Sequence, residues 1–254
     1  MSSQGPLGDA VPGAAEGGAG GDGPLIDALD VVRQFPNGAM ALRGVTFGVE
    51  RGEWVTVTGR SGAGKSTLLA ILGALERPTS GAVTVDGHDL SALDEKAAAR
   101  YRGRTVGFVF QHYYLVPYLT VLENVALAQQ LAGTVDESRC RTILEEVGLG
   151  HRVGHLPREL SGGEQQRACI ARAAVNDPAV ILADEPTANL DAENREAVWH
   201  LLGERHRAGA TVVLVSHDAP DLPWRHHLIG LEDGRIVEDS RRGPAALPAG
   251  EPGV

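Results

Sequence analysis

The chain is poor in cysteine. Cys140 and Cys169 are its two thiols, far apart in helical-looking contexts, which excludes a disulfide framework and reads them as reduced packing residues of a cytosolic protein. Positive charge is also scarce. Lysine and arginine number 23 against 33 acidic residues, a formal net charge of -10, so a nonspecific grip on DNA, RNA or anionic lipid is excluded. No apolar run approaches the roughly 18 residues that cross a bilayer. The start, Met1-Ser-Ser-Gln-Gly, lacks the basic and apolar regions of a secretion signal. If this protein serves a membrane, something else must hold it there.

What is present suits a globular fold. With 254 residues, 43% hydrophobic and 22% charged, the chain can form one large α/β domain with a small inserted lobe. Met1 to Pro24 and Arg241 to Val254 are rich in Gly, Ala and Pro and are expected to be disordered tails. The opening is β-like: Leu25 to Phe35 and Ala41 to Val49 flank Asn37-Gly38, a two-residue hairpin signal. Ala82 to Val85 adds a strand. Trp54–Thr58, Val106–Phe110, Val180–Ala183 and Thr211–Val215 are unalternated apolar runs, predicting a parallel sheet covered on both faces. His227–Leu231 and Arg235–Val237 form a closing hairpin. Between residues 112 and 160 the pattern turns helical, with a capping box at Thr120–Glu123 and a second helix from Asp136 to Gly148.

Gly59-Arg60-Ser61-Gly62-Ala63-Gly64-Lys65-Ser66-Thr67 follows a strand and precedes a helix expected over Ser66–Glu76, the setting of a phosphate loop. Gly62 and Gly64 let the backbone curl around phosphate oxygens, Lys65 supplies a charge, and Ser66 offers a hydroxyl to Mg²⁺. A plain Gly-rich turn is the weaker alternative. Asp184 and Glu185 end an apolar strand, where open α/β sheets hold ligands. Asp184 suits Mg²⁺; Glu185 suits orienting a water toward a γ-phosphate. Ser161-Gly-Gly163-Glu164 is a capping box, but the box leaves its two glycines unexplained. A capped helix start without Cβ atoms is also an anion receptor.

These segments, with Ala-Asp-Glu-Pro-Thr-Ala-Asn-Leu-Asp191, resemble the ATP-binding subunit of ABC transporters over Leu25 to Asp239. The resemblance implies a P-loop NTPase core of parallel sheet, an N-terminal antiparallel β layer and an inserted helical subdomain. It implies ATP as substrate and Mg²⁺ at Ser66, Gln111 and Asp184. Gln111 would touch the ion and the attacking water. His217 would steady Glu185 and the γ-phosphate, and Asp191 would belong to the loop that faces a partner, its alternative being a helix N-cap. Ser161 and Gly163 would close on the ATP of a second ATPase subunit. Phe35 is the candidate to stack on adenine, or else packs under the hairpin. The implied partners are a transmembrane permease subunit and a second cassette, with no nucleic acid, and the implied place is the cytoplasmic face of the cell membrane.

Phe-Gln-His and Leu-Thr-Val-Leu-Glu-Asn-Val resemble the lipoprotein-release and macrolide-export branch. Asp221-Leu-Pro-Trp-Arg225 departs from it and puts the dimer edge near Trp224 in question. Tyr113, Tyr114 and Tyr118 could line a groove for a partner helix or form the lobe's own core. His151 and His155 are spaced against metal binding by Gly154 and Pro157. A small-molecule kinase has no use for Leu160–Arg167, and a chromosome-maintenance ATPase needs heptad arms that do not fit between Gln111 and Ser161. A translation-associated ATPase would carry two cassettes. The remaining rival is an ATPase that regulates a cell-wall or division complex without moving a solute.

Overall fold

The structure is a computed structural model that describes residues 23–241 together with 243 and 244. The two expected tails fall almost wholly outside the described residues, apart from their innermost positions. Strands β1 (Ile26–Gln34) and β2 (Met40–Val49) pair antiparallel, and β4 (Ser80–Val85) and β5 (His88–Asp89) extend that sheet in the order β2-β1-β4-β5. The larger sheet runs β11-β10-β9-β3-β8-β7-β6, built from β3 (Trp54–Thr58), β6 (Val106–Val109), β7 (Val180–Asp184), β8 (Thr211–Ser216), β9 (His227–Glu232), β10 (Arg235–Asp239) and β11 (Gly243–Pro244). Its β6, β7, β8, β3 and β9 are parallel neighbours, while β10 and β11 are antiparallel. The expected two-sheet α/β architecture is therefore present, with a mixed rather than purely parallel large sheet.

Alternation within the central strands explains why they read as continuous apolar runs. Val55, Val57, Leu182, Val213 and Val215 face one core, shared with the antiparallel layer and helix α1 (Lys65–Leu72). Trp54, Ile181, Ala183, Val212 and Leu214 face the other, against α5 (Gly162–Ala174) and α6 (Ala192–Arg207). Both faces are dry, so neither parity of position is polar.

Three local expectations are corrected. Asn37-Gly38 is not the centre of the hairpin turn: Gly38 N donates to Phe35 O at 2.9 Å, placing Pro36-Asn37 at the centre and Gly38 (φ 85) after it. Proline favours the position it takes there and cannot adopt the positive φ of primed turns. Helix α1 stops at Leu72 rather than Glu76, because Ala74 is left-handed (φ 49). Gly73 lies against Phe108, whose ring would be 1.9 Å from a Cβ at that position. The sequence reading also missed α2 (Glu95–Arg104), capped by Asp94 accepting from Ala97 N at 2.6 Å.

The helical lobe comprises α3 (Val121–Ala132) and α4 (Glu137–Glu146). Its Thr120 capping box forms as expected. The first α3 donors are met by carbonyls across the lobe: Val121 N reaches His155 O at 2.8 Å and Leu122 N reaches Val153 O at 3.0 Å. Buried Asn124 rivets the preceding loop, accepting from Val116 N at 2.7 Å and donating to the carbonyls of Val116, Leu119 and Thr120 at 3.0–3.1 Å. Trp224 turns inward: its ring meets Trp54 at 5.1 Å and fills the space left by Gly203, where a Cβ would come within 2.6 Å. The departure at residues 221–225 is thus a packing feature.

Candidate nucleotide site

Parallel register delivers the chemistry to one edge. Val109 pairs with Ala183, Asp184 with Val215, and Thr58 with Ser216. Gln111, Asp184, Glu185, His217 and the loop from Gly59 therefore all leave the sheet at its carboxyl edge, where ligands of open α/β folds bind.

The 59–67 loop is walled by neighbouring backbone. A Cβ on Gly59 would come within 2.1 Å of Leu231 O, and one on Gly64 within 2.3 Å of Ala41 O. A Cβ on Gly62 would meet no protein atom, and its φ of 83 is one that glycine adopts without strain. Tight approach of neighbouring protein backbone thus falls at Gly59 and Gly64. The β9–β10 turn also braces the loop: Gly234 N donates to Ala63 O at 3.0 Å and Gly234 O accepts from Arg43 N at 2.8 Å. Lys65 is 5% exposed, and its Nζ donates across the loop to Gly59 O at 2.6 Å and Arg60 O at 3.1 Å. Among the described α-helices, α1 alone has no acidic residue in its first turn. Its positive end is left for an anion.

A cleft of about 400 Å³ opens over this loop, lined by Ser61, Gly62, Gly64, Lys65, Ser66 and Thr67 together with Glu185, His217 and Phe35. Ala39, Met40 and Ala41 complete it. These were missed from sequence, since their residue types carry no signal; the pairing of β1 with β2 places them. Gly59, Arg60 and Ala63 do not line it; their carbonyls accept from Lys65 Nζ, at Gly59 and Arg60, and from Gly234 N, at Ala63. Phe35 lines the cleft and holds Arg33 over its ring at 4.8 Å.

Glu185 adopts φ 44, a region disfavoured for a side chain this long. Its N–H donates to Val215 O at 3.0 Å, and its Oε1 lies 3.0 Å from Nε2 of His217. The kink swings the carboxylate off the strand and into the cleft. Asp184 stays beneath, its Oδ1 3.4 Å from the Ser66 hydroxyl. Burial pushes the Asp184 carboxyl above its usual range; the Ser66 hydrogen bond pulls it down, Glu185 raises it and Lys65 lowers it. A half-buried carboxylate in that position, beside a hydroxyl, fits a hard cation with oxygen ligands such as Mg²⁺. No group of three or more His, Cys, Asp or Glu is arranged to hold a metal among the described residues. Such an ion would take its remaining oxygens from a bound phosphate and water. Gln111 sits partly buried in the turn after β6, level with Glu185, and does not line the cleft.

Ser161, Gly163 and Asp191 lie outside that cleft. Ser161 caps α5 in a reciprocal box, with Ser161 N donating to Glu164 at 2.8 Å and its Oγ accepting from Glu164 N at 3.2 Å. Arg152 neutralises Glu164 at 3.0 Å. The Ser161 N–H, first among several causes, holds the Glu164 carboxyl below its usual range. Gly163 packs on α6, where a Cβ would fall 1.9 Å from Asn194 Oδ1. Asp191 caps α6 through Asn194 N at 2.9 Å. Tyr114 and Tyr118 are 64% and 79% exposed, so they are not the lobe's core.

The family model described as "ABC transporter" matches residues 42–188. An uncharacterized ABC transporter ATP-binding protein of Thermotoga maritima is 46% identical, with 86% of this chain and 96% of that protein covered. Macrolide export ATP-binding/permease proteins MacB of Chlorobium luteolum and Paracoccus denitrificans are 41% and 44% identical over 89% and 91% of this chain. The chain spans 35% of the length of those two. The solved dimer of the ATP-binding cassette MJ0796 in a post-hydrolysis state bound to ADP and Pi is 36% identical, with a TM-score of 0.78 and coverage of 85% and 97% of the two chains.

Proposed function

This chain belongs to the ABC transporter family as an ATP-hydrolysing, ATP-binding subunit, and we propose that it powers a separate transmembrane partner in an export or extraction process. Among the described residues no helix is long and apolar enough to cross a membrane; in this reading the transmembrane partner supplies the spans. It would hold the cassette at the cytoplasmic face. The cargo we infer is a lipoprotein, peptide or drug-like molecule, and identity to macrolide-export relatives supports the drug-like reading.

The residues take these roles. Backbone N–H groups of 61–66 and Lys65 bind the β- and γ-phosphates, and Phe35 stacks on adenine. Ser66 and Asp184 would hold Mg²⁺, with Gln111 near it, and the ion would neutralise charge on the phosphates. Glu185 orients the attacking water and accepts its proton as the γ-phosphorus parts from the bridging oxygen. His217 fixes the Glu185 carboxylate and donates to a γ-phosphate oxygen.

One observation carries the two-copy reading. The Ser161-capped start of α5 is exposed and lies outside the cleft its own Lys65 lines, and we read it as facing the nucleotide of another copy. Asp191, on the α6 cap beside Gly163, belongs to the same face. Affinity purification of the chain from membranes, followed by reconstitution, tests the proposal. The expected result is a transmembrane protein whose presence raises ATP turnover and moves a solute. A partner that is stimulated by the cassette but moves nothing favours the regulatory alternative.

A further inference from the structure

Tyr113 and Tyr114, just past Gln111, both occupy the left-handed region at φ 56 and 48, where residues with a Cβ are disfavoured. Consecutive strained residues persist only where their surroundings hold them. What holds them comes from α5. Arg172 Nη1 donates to Tyr114 O at 2.6 Å and its Nη2 to Tyr113 O at 2.8 Å. Cys169 Sγ donates to Tyr113 O at 2.8 Å. Burial lifts the Cys169 thiol to about 12, with Arg172 opposing, which keeps it protonated and able to donate.

The side chain of Tyr113 reaches the other end of the same helix. Its hydroxyl would be 3.1 Å from a Cβ on Gly162, next to Ser161. Tyr113 therefore touches α5 twice, by its carbonyl at residues 169 and 172 and by its ring tip at the first turn. The guanidinium fork ties two adjacent carbonyls to the last turn of α5, and the Tyr113 side chain carries that anchorage to the first turn. This also gives Gly162 a reason to be glycine that capping alone does not.

We infer that Tyr113, clamped by Arg172, is a strut through which the segment carrying Gln111 sets the position of the Ser161 end of α5. It is a positioning residue for closure on a second copy, and it rests on the reading of Gln111 and Ser161 as nucleotide-facing groups.

Tyr113→Gly separates the strut from the fold, because glycine keeps the same φ without strain. The test uses Glu185→Gln as parent, measuring ATP-driven dimerisation by sedimentation and nucleotide affinity by titration of a fluorescent ATP analogue. Tyr113→Gly should leave analogue affinity within about twofold and raise the protein concentration for half-dimerisation at least tenfold. Tyr113→Phe, which keeps the ring and loses the hydroxyl that reaches Gly162, should fall between the parent and Tyr113→Gly. Arg172→Lys, which cannot span both carbonyls, should repeat the glycine result and carries the test if Tyr113→Gly fails to fold. Dimerisation of Tyr113→Gly at the parental concentration overturns the strut, as does a loss that only follows weakened nucleotide binding. A parent that stays monomeric with ATP overturns the head-to-tail reading itself, and the strut with it.

Discussion

His217 Nε2 and Glu185 Oε1 face each other at 3.0 Å across the mouth of the phosphate cleft. The carboxylate is 17% exposed and the imidazole 53%, so the pair has one shielded and one wet partner. An imidazole so placed can hold the carboxylate in line with the cleft while keeping a face toward substrate.

Glu185→Gln keeps the shape of the side chain but cannot accept the proton of water. ATP hydrolysis should fall by about 100-fold or more, with ATP affinity retained. Phosphate release assays and gel filtration with ATP should show an inactive dimer. A species that elutes only as monomer defeats the head-to-tail scheme.

Lys65→Ala removes the charge that now bridges Gly59 O and Arg60 O. Calorimetric titration should show ATP binding weakened by roughly 100-fold, the loss of about two charge-assisted hydrogen bonds. Unchanged affinity would refute the phosphate-loop assignment.

Asp184 should trade stability for function. Its folded value lies above that of an unfolded carboxyl, so over that window the folded chain binds more protons. Stability falls as pH rises through it and stays lowered at neutrality. Asp184→Asn should therefore raise Tm at pH 7, with the gain vanishing below the usual carboxylate range, while Mg²⁺-dependent turnover collapses. Glu164 and Asp191 behave oppositely. Held low mainly by the N–H groups of Ser161 and Asn194, they add stability above the usual range that is lost as acid reaches their lowered values.

Gly163→Ala forces a methyl into Asn194, the residue that anchors the Asp191 cap. Thermal melts should show a loss of about 1–3 kcal/mol. ATP-driven dimerisation should weaken further than that loss explains, since both displaced groups belong to the proposed joint.

Tyr118→Glu places a charge on the exposed lobe loop riveted by Asn124. Basal hydrolysis should stay near wild type while stimulation by the membrane partner drops several-fold. Full stimulation would mean the partner docks elsewhere.

Much of this is legible in the sequence, for physical reasons. The Thr120 and Ser161 boxes and the Asp191 cap are local: donor and acceptor sit within four residues. The strand–loop–helix around Lys65 is likewise one continuous segment. What escaped depends on distant chain. The hydrophobic run of β9 reads as half of a hairpin, yet it also pairs with β3; nothing in His227–Glu232 announces that neighbour. Helix α2 has mostly polar and alanine positions, so its apolar stripe is too thin to detect, although Ala98 and Tyr101 are buried. Ala39 to Ala41 joined the cleft through packing.

The bracing of Ala63 by Gly234 bears on how the domain is born. A nascent polypeptide that has emerged only to His217 already displays each nucleotide-facing motif. It still lacks β9, whose Leu231 carbonyl walls Gly59, and the turn that bolts the loop in place. The protein wall around the phosphate loop is therefore complete only when the ribosome has delivered that late hairpin.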